Sequence, residues 1–196
     1  IDANTKESIE YYASVIFVNA GAYNTNLILL NSKSKRFPNG FGKDYGLLGK
    51  YAAFHNYRAS IHAKYDGFQD TQSQGGRRPT SAYMPRFRNL YKQETDFLRG
   101  YALTFYAGRC SYNDNSGFGE HLKDNLLAEP TLGHWSVGSG MMGETIPKET
   151  NFVSLDAEKK DDWGVPLLKI NIDYDDNDEK MIKDFFEQMT EMYSKA

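Results

Sequence analysis

Gly138-Ser-Gly-Met-Met-Gly143 spells G-x-G-x-x-G, a spacing that between a strand and a helix cradles a dinucleotide pyrophosphate on backbone amides. The next residues, Glu144-Thr-Ile-Pro147, oppose that chemistry, because Pro147 would interrupt a helix in its first turn. Glycines in a strand that passes close to another backbone or a ligand are the better expectation. Asp173, Asp175 and Asn177 open like a calcium loop, but the Gly of its sixth position and the Glu of its twelfth are replaced by Asp178 and Asp184. That acidic run predicts the polar entry to a helix instead. His55, His62, His121 and His134 show neither the i, i+4 spacing nor the cysteine partner of a metal site, so no metal is expected. Val137-Gly-Ser-Gly140 lacks the frame of a hydrolase nucleophile elbow. The histidines are expected at the surface or satisfied in the core, with His55, just after a Gly-rich linker, the one worth testing as part of a site. Cys110, the single cysteine, excludes a disulfide framework and a cysteine-built metal centre, and is expected as a buried thiol.

The elements that must position these residues read as follows. Tyr12 to Ala22 is a β-branched apolar run without alternation, as in a strand buried on both faces, and it ends in Ala-Gly-Ala before an apolar helix that Asn24 or Thr25 could cap. Residues 32–49 are rich in Lys, Gly and Asn and predict a linker. Tyr51 to Phe68 alternates as a half-buried strand, and Ser81–Tyr91, Phe97–Tyr112 and Gly133–Met142 predict three more. Gly117 to Leu127 predicts a short helix with Phe118, Leu122 and Leu126 on one side. Asn151–Leu155 and Val165–Tyr174 predict two further strands around a charged turn at 156–162. Met181, Ile182, Phe185, Phe186, Met189, Met192 and Tyr193 recur at helical spacing, with Asp176 or Asn177 as the cap. The predicted fold class is α+β: a mainly antiparallel sheet of about six strands with flanking helices, preceded by a strand-turn-helix piece. Aromatic residues on the strands could line a small-molecule pocket, and Tyr101, Phe105 and Trp135 are the substrate-binding candidates from that pattern alone.

Composition narrows the function classes. A net charge of -3 with a pI near 5.8 provides no basic field for a phosphate backbone, so nucleic acid is not an expected partner. The basic cluster Arg77, Arg78, Arg86 and Arg88 sits among Gly, Gln, Ser, Pro79 and Pro85 and predicts a solvated loop. No apolar run reaches the roughly 20 residues of a membrane span, so the chain is expected to be soluble, with cytoplasm and periplasm both open. It starts at Ile1 without Met or a signal-peptide pattern, as an excised or processed piece would.

Four stretches carry a family resemblance: residues 15–32 (Val-Ile-Phe-Val-Asn-Ala-Gly-Ala-Tyr-Asn-Thr-Asn-Leu-Ile-Leu-Leu-Asn-Ser), 46–56 (Gly-Leu-Leu-Gly-Lys-Tyr-Ala-Ala-Phe-His-Asn), 143–156 (Gly-Glu-Thr-Ile-Pro-Lys-Glu-Thr-Asn-Phe-Val-Ser-Leu-Asp) and 163–170 (Trp-Gly-Val-Pro-Leu-Leu-Lys-Ile). In this order they resemble the glucose-methanol-choline (GMC) flavin-dependent oxidoreductases, especially the branch similar to pyranose oxidase and to sugar or polyol dehydrogenases. The resemblance implies that the intact enzyme oxidises an alcohol group of a sugar or polyol, a His base taking the hydroxyl proton while hydride passes to FAD. It also implies that residues 1–50 are a strand-turn-helix piece of the FAD-binding domain plus linker, and that residues 51–196 are the substrate-binding domain. By position, Asn19, Ala20, Gly21, Ala22 and Asn24 match the turn that lies close to the flavin. The family's glycine fingerprint is absent, and the chain ends at Ala196 before the place of the catalytic His. The isolated chain is therefore expected to be catalytically silent, with the remainder of the FAD-binding domain as its partner. A free-standing β-rich carbohydrate or small-ligand binding module is the alternative, and a third expectation is a protein-interaction piece that recruits partners or self-associates if the Asn19 to Leu30 unit exposes apolar surface.

Overall fold

The computed structural model describes residues 2, 4–71, 81–112, 117–129 and 131–196. The expected loop at Arg77, Arg78 and Pro79 and the side chain of Cys110 lie outside the described part. In chain order the elements are α1 (Gly21–Asn31), a 3-10 turn (Lys43–Tyr45), β1 (His55–Asn56), β2 (Ser60–Tyr65), β3 (Ala82–Met84), β4 (Tyr101–Tyr112), α2 (Glu120–Leu127), β5 (Thr131–Glu144), β6 (Phe152–Lys160), β7 (Pro166–Asn171) and α3 (Asp176–Lys195). The described ladders are all antiparallel, making a mixed α+β architecture with flanking helices. The chain divides into two compact units, Ile1–Ala53 with Ile146–Asp173, and Phe54–Thr145 with Tyr174–Ala196.

The second unit is built on β5, which pairs with β1 and β2 on one side and with β4 on the other, while β3 lies outside β4. In β2, Ile61, Ala63 and Tyr65 are half-buried and Ser60, His62 and Lys64 exposed, the alternation of a strand with one covered face. The cover is α3. Its stripe Met181, Phe185 and Met189, at i, i+4 and i+8, is fully buried against Ala59, Tyr101, Leu103 and Met141. Burying a Phe side chain contributes about 1.5–3 kcal/mol, so this stripe is the main reason the helix stays on the sheet. Its start is fixed by a capping box: Asp178 N–H donates to Asp175 Oδ1 at 3.3 Å and Asp175 N–H donates to Asp178 Oδ2 at 3.1 Å. The cap is thus one residue before the expected Asp176 or Asn177. Gly143 permits the close approach, since a Cβ there would meet Met181 Sδ at 2.6 Å.

The connection before β4 is held by side chains. Asn89, at φ +53°, donates to Thr95 Oγ1, Phe97 O and Arg99 O, and accepts from the backbone of Glu94 and Thr95. Arg88 makes a bidentate pair with Asp184 of α3 at 2.8 and 3.0 Å, and Tyr101 Oη–H donates to the same carboxylate at 2.6 Å. Arg109 is held differently: Nε donates to Gly133 O, Nη1 to Gln69 O and Thr71 O, and Nη2 to Gln69 Oε1, all between 2.7 and 2.9 Å.

The first unit packs α1, through buried Leu30, with the β6–β7 hairpin. Val153 N–H donates to Gly49 O and Ala52 N–H to Asn151 O, which ties residues 49–52 to the hairpin. Asn151 closes it by exchanging hydrogen bonds with the backbone of Asp173.

Several expectations change. Residues 12–20 form no strand: Val15, Ile16 and Phe17 are 66%, 72% and 81% exposed, because no described strand of this chain offers them a ladder. The expected strand of a strand-turn-helix piece is therefore missing its pairing, and α1 begins at Gly21 with Ala20 as an N-cap lacking a side-chain bond, so Asn24 lies inside the helix and caps nothing. The expected strand Ser81–Tyr91 is only Ala82–Met84, ended by Pro85. β6 runs through the expected turn to Lys160. None of the α2 side chains is buried, and Phe118 is exposed too.

Candidate functional site

Asn19, Ala20, Gly21, Ala22 and Asn24 gather at the head of α1. Gly21 has φ +78°, and a Cβ built there would meet nothing within 4 Å. The first turn of α1 holds no acidic residue and its N-cap supplies no side-chain acceptor, so its leading amides are left to another acceptor. A cavity of about 400 Å³ adjoins this turn, lined by Ala22, Tyr23 and Asn26 together with residues 49–53 and Val153. Small residues and open space surround the start of α1.

Tyr101, Phe105 and Trp135 share one face of the sheet in the second unit. They follow from the register: Tyr101 is opposite Gly143, Phe105 opposite Ser139, and Trp135 opposite Arg109. That is the face under α3. Tyr101 has no solvent exposure; it packs edge-on to Phe87 and Phe185 and serves the core, not an accessible pocket. Burial, then the hydrogen bond to Asp184, pushes its hydroxyl pKa far above the ordinary tyrosine range. Phe105 lines a cavity of about 310 Å³ with Tyr193, whose hydroxyl is buried without a hydrogen-bond partner. Trp135 lines a separate one of about 300 Å³ with Tyr65 and Phe68, and its indole N–H donates to Phe68 O at 3.2 Å. The structure therefore brings Phe105 and Trp135 near adjoining apolar hollows that share Ala107 and Val137, and leaves Tyr101 in the core.

The opposite face carries a group the sequence reading did not single out. Tyr106 of β4, Gly138 of β5 and His62 of β2 lie in one row across the sheet. Tyr106 Oη is 2.7 Å from His62 Nδ1, so the phenol spans the whole width of β5. Only a residue without Cβ allows this, since a side chain at Gly138 would run into the Tyr106 ring. The Gly138–Gly143 string is thus strand, not a phosphate turn, and its first and last glycines serve close approach. The signal available in the sequence was a glycine in the middle of an otherwise β-forming run. His55, the histidine chosen for testing, is exposed and packs on Tyr57. Among the described residues no cluster of His, Cys, Asp and Glu could hold a metal, and no helix is long and apolar enough to cross a membrane.

No family model matches the sequence. A curated relative does: the chain is 28% identical over 200 residues to the 2-methyl-1,2-propanediol dehydrogenase of Mycolicibacterium austroafricanum. The match covers 91% of this chain and 33% of that protein. This chain is a distant homologue of an oxidoreductase. It spans about a third of the relative's length.

Proposed function

We propose that this chain is the substrate-binding part of an FAD-dependent oxidoreductase of the GMC type, which oxidises an alcohol group of a sugar, polyol or small diol. The observation that carries the reading is the similarity to a diol dehydrogenase along nearly the entire chain. Two features support it. The relative is about three times as long as the match, which leaves room for a cofactor domain outside these residues. The apolar run from Tyr12, expected as a buried strand, lies exposed at Val15, Ile16 and Phe17, as a strand would if its neighbours belonged to that domain.

In this reading the division expected at residue 50 is redrawn: residues 1–50 contribute to the cofactor domain together with the β6–β7 hairpin that packs with them, and residues 54–145 and 174–196 supply the substrate domain. Asn19, Ala20, Gly21, Ala22 and Asn24 would hold FAD, with the small residues admitting it close to the backbone and the leading amides of α1 donating to its polar atoms. FAD, when bound, supplies the acceptor for the hydride that leaves the carbinol carbon. The chain's own task is to bind and orient the substrate and to keep water from it. The apolar hollows at Phe105 and Trp135 would serve aliphatic parts of the substrate. The hydroxyl proton is taken by a base that lies outside this chain.

The test is a scan of the purified chain for flavin absorbance with and without added FAD, followed by an assay of polyol-dependent dye reduction. Weak or no flavin retention and no turnover are expected from the chain alone, with turnover restored in a polypeptide carrying the complete cofactor domain. Robust turnover by the 196 residues on their own would overturn the division of labour proposed.

A further inference from the structure

An asparagine loses its side-chain nitrogen when the backbone amide of the next residue attacks the side-chain carbonyl carbon and closes a five-membered ring. The reaction needs a carboxamide that nothing else holds, and a following residue without a Cβ in the way. Asn56, Asn89, Asn151, Asn171 and Asn177 meet neither condition: each donates from its carboxamide to another group, and each precedes a residue with a side chain. Asn39 meets both. It is exposed, its carboxamide has no hydrogen bond among the described residues, and it precedes Gly40 in the one Asn-Gly step of the sequence.

The turn that carries the pair is clamped at its base. Phe37 and Phe41 meet edge-on with ring centroids 4.8 Å apart, Arg36 Nη1 donates to Asp44 Oδ2 at 2.8 Å, and Phe41 N–H donates to Leu29 O of α1 at 2.8 Å. Pro38, with φ fixed by its ring, and Asn39 form the tip. The tip is loosely closed, because Gly40 N–H donates to Phe37 O at 3.3 Å, beyond the usual range for such a bond. Gly40 itself has φ +113° and is buried on the end of α1, where a Cβ would stand 2.9 Å from Leu30 O and 3.0 Å from Leu29 O. Close packing demands glycine at this position. The same glycine removes the side chain that would shield its amide from Asn39.

We propose that Asn39 is a site of spontaneous self-modification. The Gly40 nitrogen attacks Asn39 Cγ and gives its proton to solvent, and the bond from Cγ to the side-chain nitrogen breaks as ammonia leaves. One water then opens the ring at either carbonyl, leaving aspartate or isoaspartate, with no change of oxidation state. Isoaspartate routes the backbone through the side-chain carbon and lengthens it by a methylene, which lifts Gly40 from Leu29 and Leu30 and loosens the end of α1. The inference stands apart from the oxidoreductase reading, since neither flavin nor substrate enters it. The full chain is incubated folded, in mildly alkaline and in mildly acidic buffer, and unfolded in urea. Digests are read by mass spectrometry, with an endoproteinase that cuts before aspartate but not before isoaspartate. Asn39 is expected to convert at least about tenfold faster than Asn4 and Asn19, which precede Thr5 and Ala20, and to convert faster in the alkaline buffer. Its rate in the folded chain should lie within about threefold of the rate in urea. Asn39→Gln, whose extra methylene enlarges the ring that must close, should abolish the conversion with thermal unfolding unaltered. The converted chain, separated by its added negative charge, should exchange the Phe41 amide faster with deuterium, whereas Asn39→Asp, with the same charge on an unlengthened backbone, should not. Conversion no faster than at Asn4 and Asn19, protection of Asn39 by folding, a product that is wholly aspartate, or equal exchange in the converted chain and Asn39→Asp would overturn the proposal.

Discussion

At Gly138 and Gly143 the same substitution should have unequal costs. An added methyl at Gly143 meets Met181 Sδ and Asn56 inside the core, where neither can leave, so Gly143→Ala is expected to destabilise by about 1–3 kcal/mol. At Gly138 the obstacle is the far end of a half-exposed tyrosine, which can swing away, so Gly138→Ala should cost less than about 1 kcal/mol while abolishing the Tyr106–His62 contact. Urea denaturation of both variants, with histidine NMR of the second, checks the pair. Tyr101 provides a pH signature. Its hydroxyl pKa is raised in the folded state above the ordinary value near 10, by burial first and Asp184 second. The stability it contributes is therefore fully present below pH 10 and is lost as pH rises above it, because the unfolded chain releases the proton first. Urea midpoints between pH 8 and 11 should fall in the wild type, and part of that fall should disappear in Tyr101→Phe. The choice of Tyr101, Phe105 and Trp135 as substrate contacts shows the limit of reading single residues. Alternation tells which residues share a face, but the face that is covered depends on where α3 comes to rest, and the next residue of the same pattern, Tyr106, points the other way.

Elements differ in how much of them is written locally. The terminal helix was legible because Met181, Phe185 and Met189 recur at its own period, and β2 because its exposure alternates residue by residue. Residues 12–20 were not, since an apolar run becomes a strand only when a neighbour supplies its hydrogen bonds. The bounds of β3 were missed because Pro85 stops it while its partner runs on, and those of β6 because its pairing with Pro166 carries the strand to Lys160. α3 and α2 should consequently respond unequally to truncation. Phe185→Ala is expected to cost about 3–5 kcal/mol, whereas Leu126→Ala on exposed α2 should stay within about 0.5 kcal/mol. Thermal unfolding monitored by circular dichroism separates the two.

For the molecule as a whole, the N-terminal segment matters most. Ile9, Tyr11, Tyr12, Val15, Ile16 and Phe17 form an exposed apolar stretch with unpaired backbone, the combination that recruits another strand. The chain should self-associate in a concentration-dependent manner by light scattering, and Ile16→Lys should return it toward monomer with stability changed by less than about 0.5 kcal/mol. A wild-type chain that stays monomeric at high concentration would mean that the stretch is covered in solution. The amino-acid order announced an uncovered apolar unit at residues 19–30; the exposed stretch lies just before it, and Leu30 is buried.

Arg109 makes its seam with neutral oxygens alone, whereas Arg88 and Arg86 rely on the carboxylates of Asp184 and Glu144. Dissolved salt screens the attraction between opposite charges much more than a hydrogen bond to a neutral carbonyl. Rising ionic strength would therefore slacken the moorings at Asp184 and Glu144 first, while the strap from Gln69 to Thr71 would hold on until the sheet itself gives way.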